Sequence, residues 1–190
     1  MAYNSLRDFL TYLENAKQLL RVSRPVSIAL EMTEIQTRLL AEDGPAVLFE
    51  NPVGENGQTF DMPVLANLFG SVERVAKGME RESAGLRELG ETLAFLRQPE
   101  PPGGWREALE LVPMMKAALT MKPKTVSKAP VHDIVYTGDD VDLAQLPVQT
   151  CWPGEPAPLI TWPLVVTRGP GDSREDDFNL GIYRMQVTGR

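Results

Sequence analysis

The 190-residue chain has one cysteine and one histidine, and each scarcity excludes chemistry. Cys151 alone closes no disulfide within the chain, which favours a reducing compartment. With His132 as the only imidazole, a zinc finger, a His-His metal site and a Ser-His-Asp triad with a spare base all lack ligands. Basic residues are also short, 19 Lys and Arg against 26 Asp and Glu, for a net charge of −7. That balance argues against sequence-independent nucleic-acid binding, which needs cations to neutralise phosphates. It argues equally against simple adsorption to an anionic membrane. Long apolar runs are missing. The most apolar stretch, residues 159–166, is interrupted by Pro163 and falls far short of the ~20 residues of a membrane helix. The N-terminus has no basic segment followed by an apolar run, so it does not read as a secretory signal. The expected location is the cytoplasm, with peripheral association at the inner membrane left open.

What is present suits an ordinary folded core, since 43% of residues are hydrophobic and 24% charged. Leu6, Phe9, Leu10 and Leu13 recur at helical spacing after Ser5 and Asp8, which predicts a capped helix over about residues 5–16. A short strand is expected at 19–22. A second amphipathic helix carries Met32, Ile35, Leu39 and Leu40 and is stopped by Gly44-Pro45. Residues 46–50 and 63–67 read as strands, with a Gly/Asn/Pro-rich loop at 51–58. Ser71 caps a helix bearing Val72, Val75 and Met79. Further helices are expected at about 83–97 and 105–119, separated by the breaker segment 98–104. From Val126 the pattern changes. Residues 131–136, 159–168 and 178–187 read as strands between Gly/Pro/Asp turns, with a boundary near 120–127. The expected class is α+β: a small N-terminal α/β domain over residues 1–123, then a β-rich part over 124–190. Three or four strands cannot close a barrel, and an open sheet leaves unpaired edges. The expectation is therefore a fragment, or a subunit completed by another chain.

Four groups of residues could carry chemistry. In a strand over 179–184, Asn179, Gly181 and Tyr183 would face one way and Leu180, Ile182 and Arg184 the other. Gly181 would let a flat ligand or a second backbone approach. Asn179 offers a hard oxygen suited to Mg²⁺ or Mn²⁺, and Arg184 a planar fork for phosphate or carboxylate. The plainer reading is an edge strand with a solvated arginine. Asp139, Asp140 and Asp142 could bind a divalent ion, but Gly138-Asp-Asp is also ordinary turn chemistry. Cys151 could be a nucleophile, yet nothing in the spacing ties it to His132, and a buried inert thiol beside a packing Trp152 is the simpler case. Trp162 could stack on a flavin and Thr161 could bond to it, or the pair could belong to a core strand.

Seven ordered blocks carry a resemblance. They are Tyr3-Asn-Ser-Leu-Arg-Asp-Phe-Leu10, Gly44-Pro-Ala-Val-Leu-Phe-Glu-Asn-Pro52 and Leu93-Ala-Phe-Leu-Arg-Gln-Pro-Glu-Pro-Pro102, then Gly138-Asp-Asp-Val-Asp-Leu143. Thr150-Cys-Trp-Pro153, Ala157-Pro-Leu-Ile-Thr-Trp162 and Asn179-Leu-Gly-Ile-Tyr-Arg-Met-Gln186 complete the set. In this order they resemble the UbiD decarboxylase family, nearest to members acting on 3-polyprenyl-4-hydroxybenzoate in ubiquinone biosynthesis. The resemblance implies that residues 124–190 begin a split, flavin-reductase-like β-barrel that stays incomplete here. It implies a prenylated FMN cofactor, supplied by a partner flavin prenyltransferase, and Mn²⁺ joining protein and cofactor phosphate. It assigns Asn179 as a metal ligand, Ile182, Tyr183 and Arg184 as cofactor contacts, and Arg184 as catalytic. The implied reaction is non-oxidative loss of CO₂ from an aromatic or conjugated acid, in a homo-oligomer when full length. The family's other metal ligands and its catalytic acids have no counterpart among these residues, so the 190-residue chain is expected to be inactive by itself. The alternative is a non-catalytic homologue that pairs with another chain through an exposed sheet edge.

Overall fold

A computed structural model describes residues 3–98, 103–112, 116, 126–170 and 178–189. It is a mixed α/β structure with small sheets. The described residues fall into two compact units that do not follow chain order: Met1–Val75 with Tyr136–Arg190, and Ala76–Val135. The boundary expected at 120–127 lies, apart from Val126 and Ser127, outside the described residues.

The first unit is built on a three-stranded sheet in the order β1-β3-β5, with β1 Leu19–Val22 parallel to β3 Ala46–Phe49 and β3 antiparallel to β5 Val64–Ala66. All four residues of β3 are buried, so the strand reads as a continuous apolar run rather than an alternating one. Ala46 and Leu48 join Leu19 and two residues of the first helix, Phe9 and Leu13, in one cluster. Val47 and Phe49 turn to the other face, where Val26, Ala66 and Met32 of the second helix meet them. The two-residue period of β3 thus produces a helix–sheet–helix sandwich.

Helix α1, Leu6–Asn15, starts where expected: the Ser5 side chain accepts from the Asp8 amide at 3.3 Å, and the Asp8 carboxylate accepts from the Asn4 amide at 3.0 Å. This is a capping box whose return arm reaches one residue further back than the usual one. The helix closes on Lys17 in the left-handed region, φ 57°, with the Gln18 amide donating to the Leu13 carbonyl at 2.7 Å. Helix α2, Glu31–Ala41, closes the same way through Asp43, φ 50°, and the Gly44 amide donating to the Leu39 carbonyl at 2.7 Å. The 51–58 loop contains a short strand that sequence patterning missed, β4 Pro52–Val53, parallel to β2 Val26–Ser27. The C-terminal segment is knitted to this body. The Thr150 amide donates to the Ile28 carbonyl at 3.2 Å, and the Leu30 amide donates to the Thr150 carbonyl at 2.9 Å.

Helix α3, Val72–Gly78, is capped by the Ser71 hydroxyl, which accepts from the Arg74 amide at 3.2 Å. Arg74 is the largest fully buried side chain among the described residues and a feature the sequence did not announce. Its guanidinium donates to Gln18 Oε1 at 3.0 Å, to the Leu68 carbonyl at 3.1 Å and to the Asn67 carbonyl at 3.2 Å. The second unit holds α4, Gly85–Arg97, and α5, Trp105–Glu110; most of residues 113–119, into which α5 was expected to run, lie outside the described residues.

Three expectations fail in the C-terminal part. Residues 131–136 form no strand: Pro130–His132 is a 3-10 turn, and Val131, Ile134 and Val135 are exposed. Pro130 at the first turn position cannot donate to a ladder, and no partner strand flanks the segment among the described residues. The strands expected at 159–168 and 178–187 are each split. The first becomes β6 Leu159–Ile160 and β7 Leu164–Arg168; the second becomes β8 Phe178–Ile182 and β9 Met185–Gln186.

Candidate functional site

The two splits coincide. Ile160 pairs with Met185 on one side, and Leu164 pairs with Ile182 on the other. Between these pairs lie Thr161, Trp162 and Pro163 on one strand and only Tyr183 and Arg184 on the other. Three residues against two is a bulge-type interruption, the device by which a ribbon bends and re-aims its side chains. Pro163 supplies part of the cause, because it has no amide proton for the ladder. Unbroken alternation would run on through Tyr183 and Arg184. The alternation holds only to Ile182, since those two residues sit in the break.

Up to the break, the faces of the β7–β8 ribbon follow the register. Leu164, Val166 and Arg168 oppose Ile182, Leu180 and Phe178 on one face. Leu164, Val166, Phe178, Leu180 and Ile182 are all exposed, and Arg168 lies over the Phe178 ring at 5.7 Å. The other face pairs Val165 with Gly181 and Thr167 with Asn179. Asn179 therefore points away from Ile182, with its amide exposed beside Thr167. At Gly181 a β-carbon would run into the Tyr183 ring, which folds back over the strand. Glycine is needed here for close approach, by the protein's own tyrosine in this structure. Arg184 is exposed and makes no hydrogen bond or ion pair among the described residues, so its five donors face solvent.

On the Trp162 side of the break lies a cleft of about 430 Å³ in which Thr161 and Trp162 meet Phe69, Gly70 and Leu65. The Trp162 and Phe69 rings are 5.8 Å apart and tilted by 36°. Trp162 is 63% exposed, so it is not the core anchor that the plainer sequence reading made it. Phe69 was missed, and no local pattern could have found it, because its partner is distant in sequence. Its loop carried one signal, Asn67 followed three residues later by Gly70. Asn67 has φ 54°, and its amide side chain occupies the space a β-carbon on Gly70 would need.

The remaining candidates resolve into structural roles. Gly138–Asp140 is a 3-10 turn with Gly138 at φ 58°, and the Asp142 carboxylate accepts from the Ala144 amide at 3.0 Å. This is the turn chemistry expected as the alternative to a metal site. Cys151 is buried, and burial pushes its thiol pKa up; a Thr33 hydrogen bond opposes this and the charge of Glu155 reinforces it. Trp152 is exposed rather than packed beside it. Residues 152–155 form a type II turn: Pro153 occupies the second position, Gly154 has φ 81°, and the Glu155 amide donates to the Trp152 carbonyl at 3.3 Å. The Glu155 carboxylate accepts from the Cys151 and Trp152 amides at 2.7 and 3.2 Å. His132 is exposed.

For a flavin the fit is one-sided. The ribbon face that carries Thr167 and Asn179 is polar, but the Tyr183 ring covers its glycine, Gly181. For a metal, Asn179 offers one amide oxygen, and no group of three or more His, Cys, Asp or Glu side chains converges among the described residues.

Comparison with known proteins gives the family. Residues 10–93 match the 3-octaprenyl-4-hydroxybenzoate carboxy-lyase N-terminal domain, and residues 124–190 match the Rift-related domain of the same carboxy-lyase. Among solved structures, the chain is similar to an evolved dimeric form of the UbiD-class enzyme HmfF from Pelotomaculum thermopropionicum in complex with prFMN. The identity is 25% and the TM-score 0.68, over 98% of this chain and 36% of that one. The same enzyme in complex with FMN gives 26% identity and a TM-score of 0.66, over 97% and 34%. The vanillic acid decarboxylase of Sedimentibacter hydroxybenzoicus in closed form shares the fold at 23% identity and a TM-score of 0.71, over 100% and 36%. The chain belongs to the UbiD family. It spans little more than a third of the length of these solved relatives.

Proposed function

We propose that this chain is the N-terminal part of a prenylated-FMN-dependent decarboxylase that removes CO₂ from an aromatic acid without net oxidation. The ordered sequence blocks favour 3-polyprenyl-4-hydroxybenzoate, on the route to ubiquinone, as that acid. One observation carries the reading: the coincident strand break sets Thr161-Trp162-Pro163 opposite Tyr183-Arg184, beside a ribbon face that presents Asn179. We read β6–β9 and β7–β8 as the first strands of a split, flavin-reductase-like barrel. The bound flavin would supply an electrophilic centre that holds the electrons released as CO₂ leaves. Ile182 and Tyr183 would border the cofactor, and Asn179 would give one oxygen to Mn²⁺ on its phosphate. Arg184 has unengaged donors, and its fork matches a carboxylate. It would hold the acid in place before the bond breaks, then lower the pKa of the carboxylic acid that returns a proton to carbon. The family resemblance adds a flavin prenyltransferase as cofactor supplier, homo-oligomeric assembly of the longer protein, and a cytoplasmic setting with peripheral contact at the inner membrane. No helix among the described residues is long and apolar enough to cross a membrane.

The test uses a protein extended to the length of its solved relatives and loaded with cofactor. Arg184→Ala should abolish CO₂ release while circular dichroism stays unchanged, and Asn179→Ala should reduce the Mn²⁺ retained after dialysis. Near-normal turnover by the arginine variant would refute its role. The 190-residue chain alone should not hold flavin stoichiometrically, and a full equivalent seen by absorbance would overturn that expectation. A second reading, a non-catalytic module that docks on another chain, draws on the exposed apolar face of Leu164, Val166, Leu180 and Ile182. It predicts association of the chain with a full-length homologue that Leu180→Lys abolishes, and no turnover in any extended form.

A further inference from the structure

The cleft beside Trp162 has a chemistry of its own. Its apolar wall comes from Leu40, Leu65, Leu68, Phe69 and Trp162, and no charged side chain lines it among the described residues. Its polar groups are neutral. Gln36 and Thr161 make no side-chain hydrogen bond among the described residues, and Gln149 only donates to the Met32 thioether at 3.4 Å, a weak acceptor. A volume of about 430 Å³ sits at the small end of ligand pockets and suits one ring with a substituent. The tilted Trp162 and Phe69 rings leave exposed surface that a third ring could cover by offset or edge-to-face contact.

One wall is also held in place before any ligand arrives. The Asn67 side-chain amide donates to the Gly44 and Pro45 carbonyls at 3.1 and 2.9 Å, and the Asn67 carbonyl accepts from buried Arg74. The Gly70 amide closes the turn on the Asn67 carbonyl at 3.2 Å. Phe69 therefore stands on a pinned loop, so this wall needs little ordering on binding.

We propose that this cleft binds a small uncharged aromatic molecule bearing a hydrogen-bonding group, of the phenol type, and rejects the corresponding carboxylate. A phenol ring covers the two aromatic faces while its hydroxyl meets the open amide and hydroxyl groups. A carboxylate in the same position gives up part of its hydration and meets no cation among the lining residues. The link to turnover rests on the decarboxylase reading, because that reaction converts an aromatic acid into an uncharged aromatic, and this cleft would then hold product rather than substrate. The binding itself does not depend on that reading.

The experiment is an NMR titration of the 190-residue chain with phenol and, separately, benzoate, following the indole N–H signals of Trp105, Trp152 and Trp162. Phenol should shift the Trp162 signal saturably and leave the other two unmoved. Benzoate should bind at least about tenfold more weakly. Trp162→Ala should remove the phenol response at the backbone amides of residues 66–70, and Trp162→Phe should restore part of it. Trp162 is exposed, so these variants should keep their fold. Equal affinity for benzoate, parallel shifts of all three indoles, an unchanged response in Trp162→Ala, or no saturation would each overturn the proposal. Because the assay has no cofactor and no turnover, its failure would leave the decarboxylase reading standing. Normal CO₂ release by the Arg184→Ala enzyme would likewise leave the cleft untouched.

Discussion

Replacing Arg74 by Met should destabilise the first unit more than any surface change, because the guanidinium satisfies three acceptors at once. The side chain is only 2% exposed, and its partners, the Asn67 and Leu68 carbonyls and Gln18 Oε1, are all neutral. Burial lowers the Arg74 pKa from its ordinary value, while the charges of Asp43 and Glu73 push it back up. A hydrogen bond from a charged donor contributes about 1.5–3 kcal/mol. Three would give roughly 4.5–9 kcal/mol if independent, but they share one group and do not add. Removing the charge also relieves its own desolvation, which offsets part of the loss. The expected net cost of Arg74→Met is about 3 kcal/mol, and of Arg74→Lys, which keeps the charge but loses the fork, about 2 kcal/mol. Urea unfolding followed by circular dichroism reads this as a lower midpoint with an unchanged slope. A Met variant within about 0.5 kcal/mol of the parent would refute the network's role, since that is the range of ordinary surface substitutions.

Two further outcomes follow from the titratable groups. Cys151 is buried with its thiol pKa raised, chiefly by desolvation, so the folded chain should react only slowly with a disulfide reagent at about pH 8, while one equivalent should react at once in denaturant; fast reaction of the folded chain would contradict this. Glu14 and Glu50 sit below the usual carboxylate range, Glu14 through its hydrogen bond from Arg21 and Glu50 through Ser23 first and Arg21 second. Groups with depressed folded pKa values stabilise above their unfolded pKa, and that contribution is lost as pH falls through the folded value. The urea midpoint should therefore fall between about pH 5 and about pH 3 more in the parent than in Arg21→Gln, and equal losses would sink the assignment.

The local elements of the N-terminal part, and the family, are legible in short stretches of sequence. The Ser5–Asp8 cap, the helical spacing of Leu6 to Leu13 and the stop at Gly44-Pro45 are encoded within a few residues, and α1, β1, α2 and β3 appear where those signals put them. The ordered blocks named the family because seven matches in sequence are specific even where each alone is weak. Features that depend on partners far along the chain are set by long-range packing instead. Alternation carries Asn179 to Ile182 correctly, but no local pattern says that a second strand breaks opposite Tyr183 and Arg184. That break depends on the register between 159–168 and 178–187, and register is a property of two strands. Exposure is likewise a matter of neighbours: Trp162 and Val131 look like core residues in sequence and stand in the open. Arg74 looks like a surface helix residue, yet it is buried because Gln18, Asn67 and Leu68 converge on it. A side chain's chemistry is fixed by its own atoms, but whether that chemistry is used or merely solvated depends on what long-range packing places beside it.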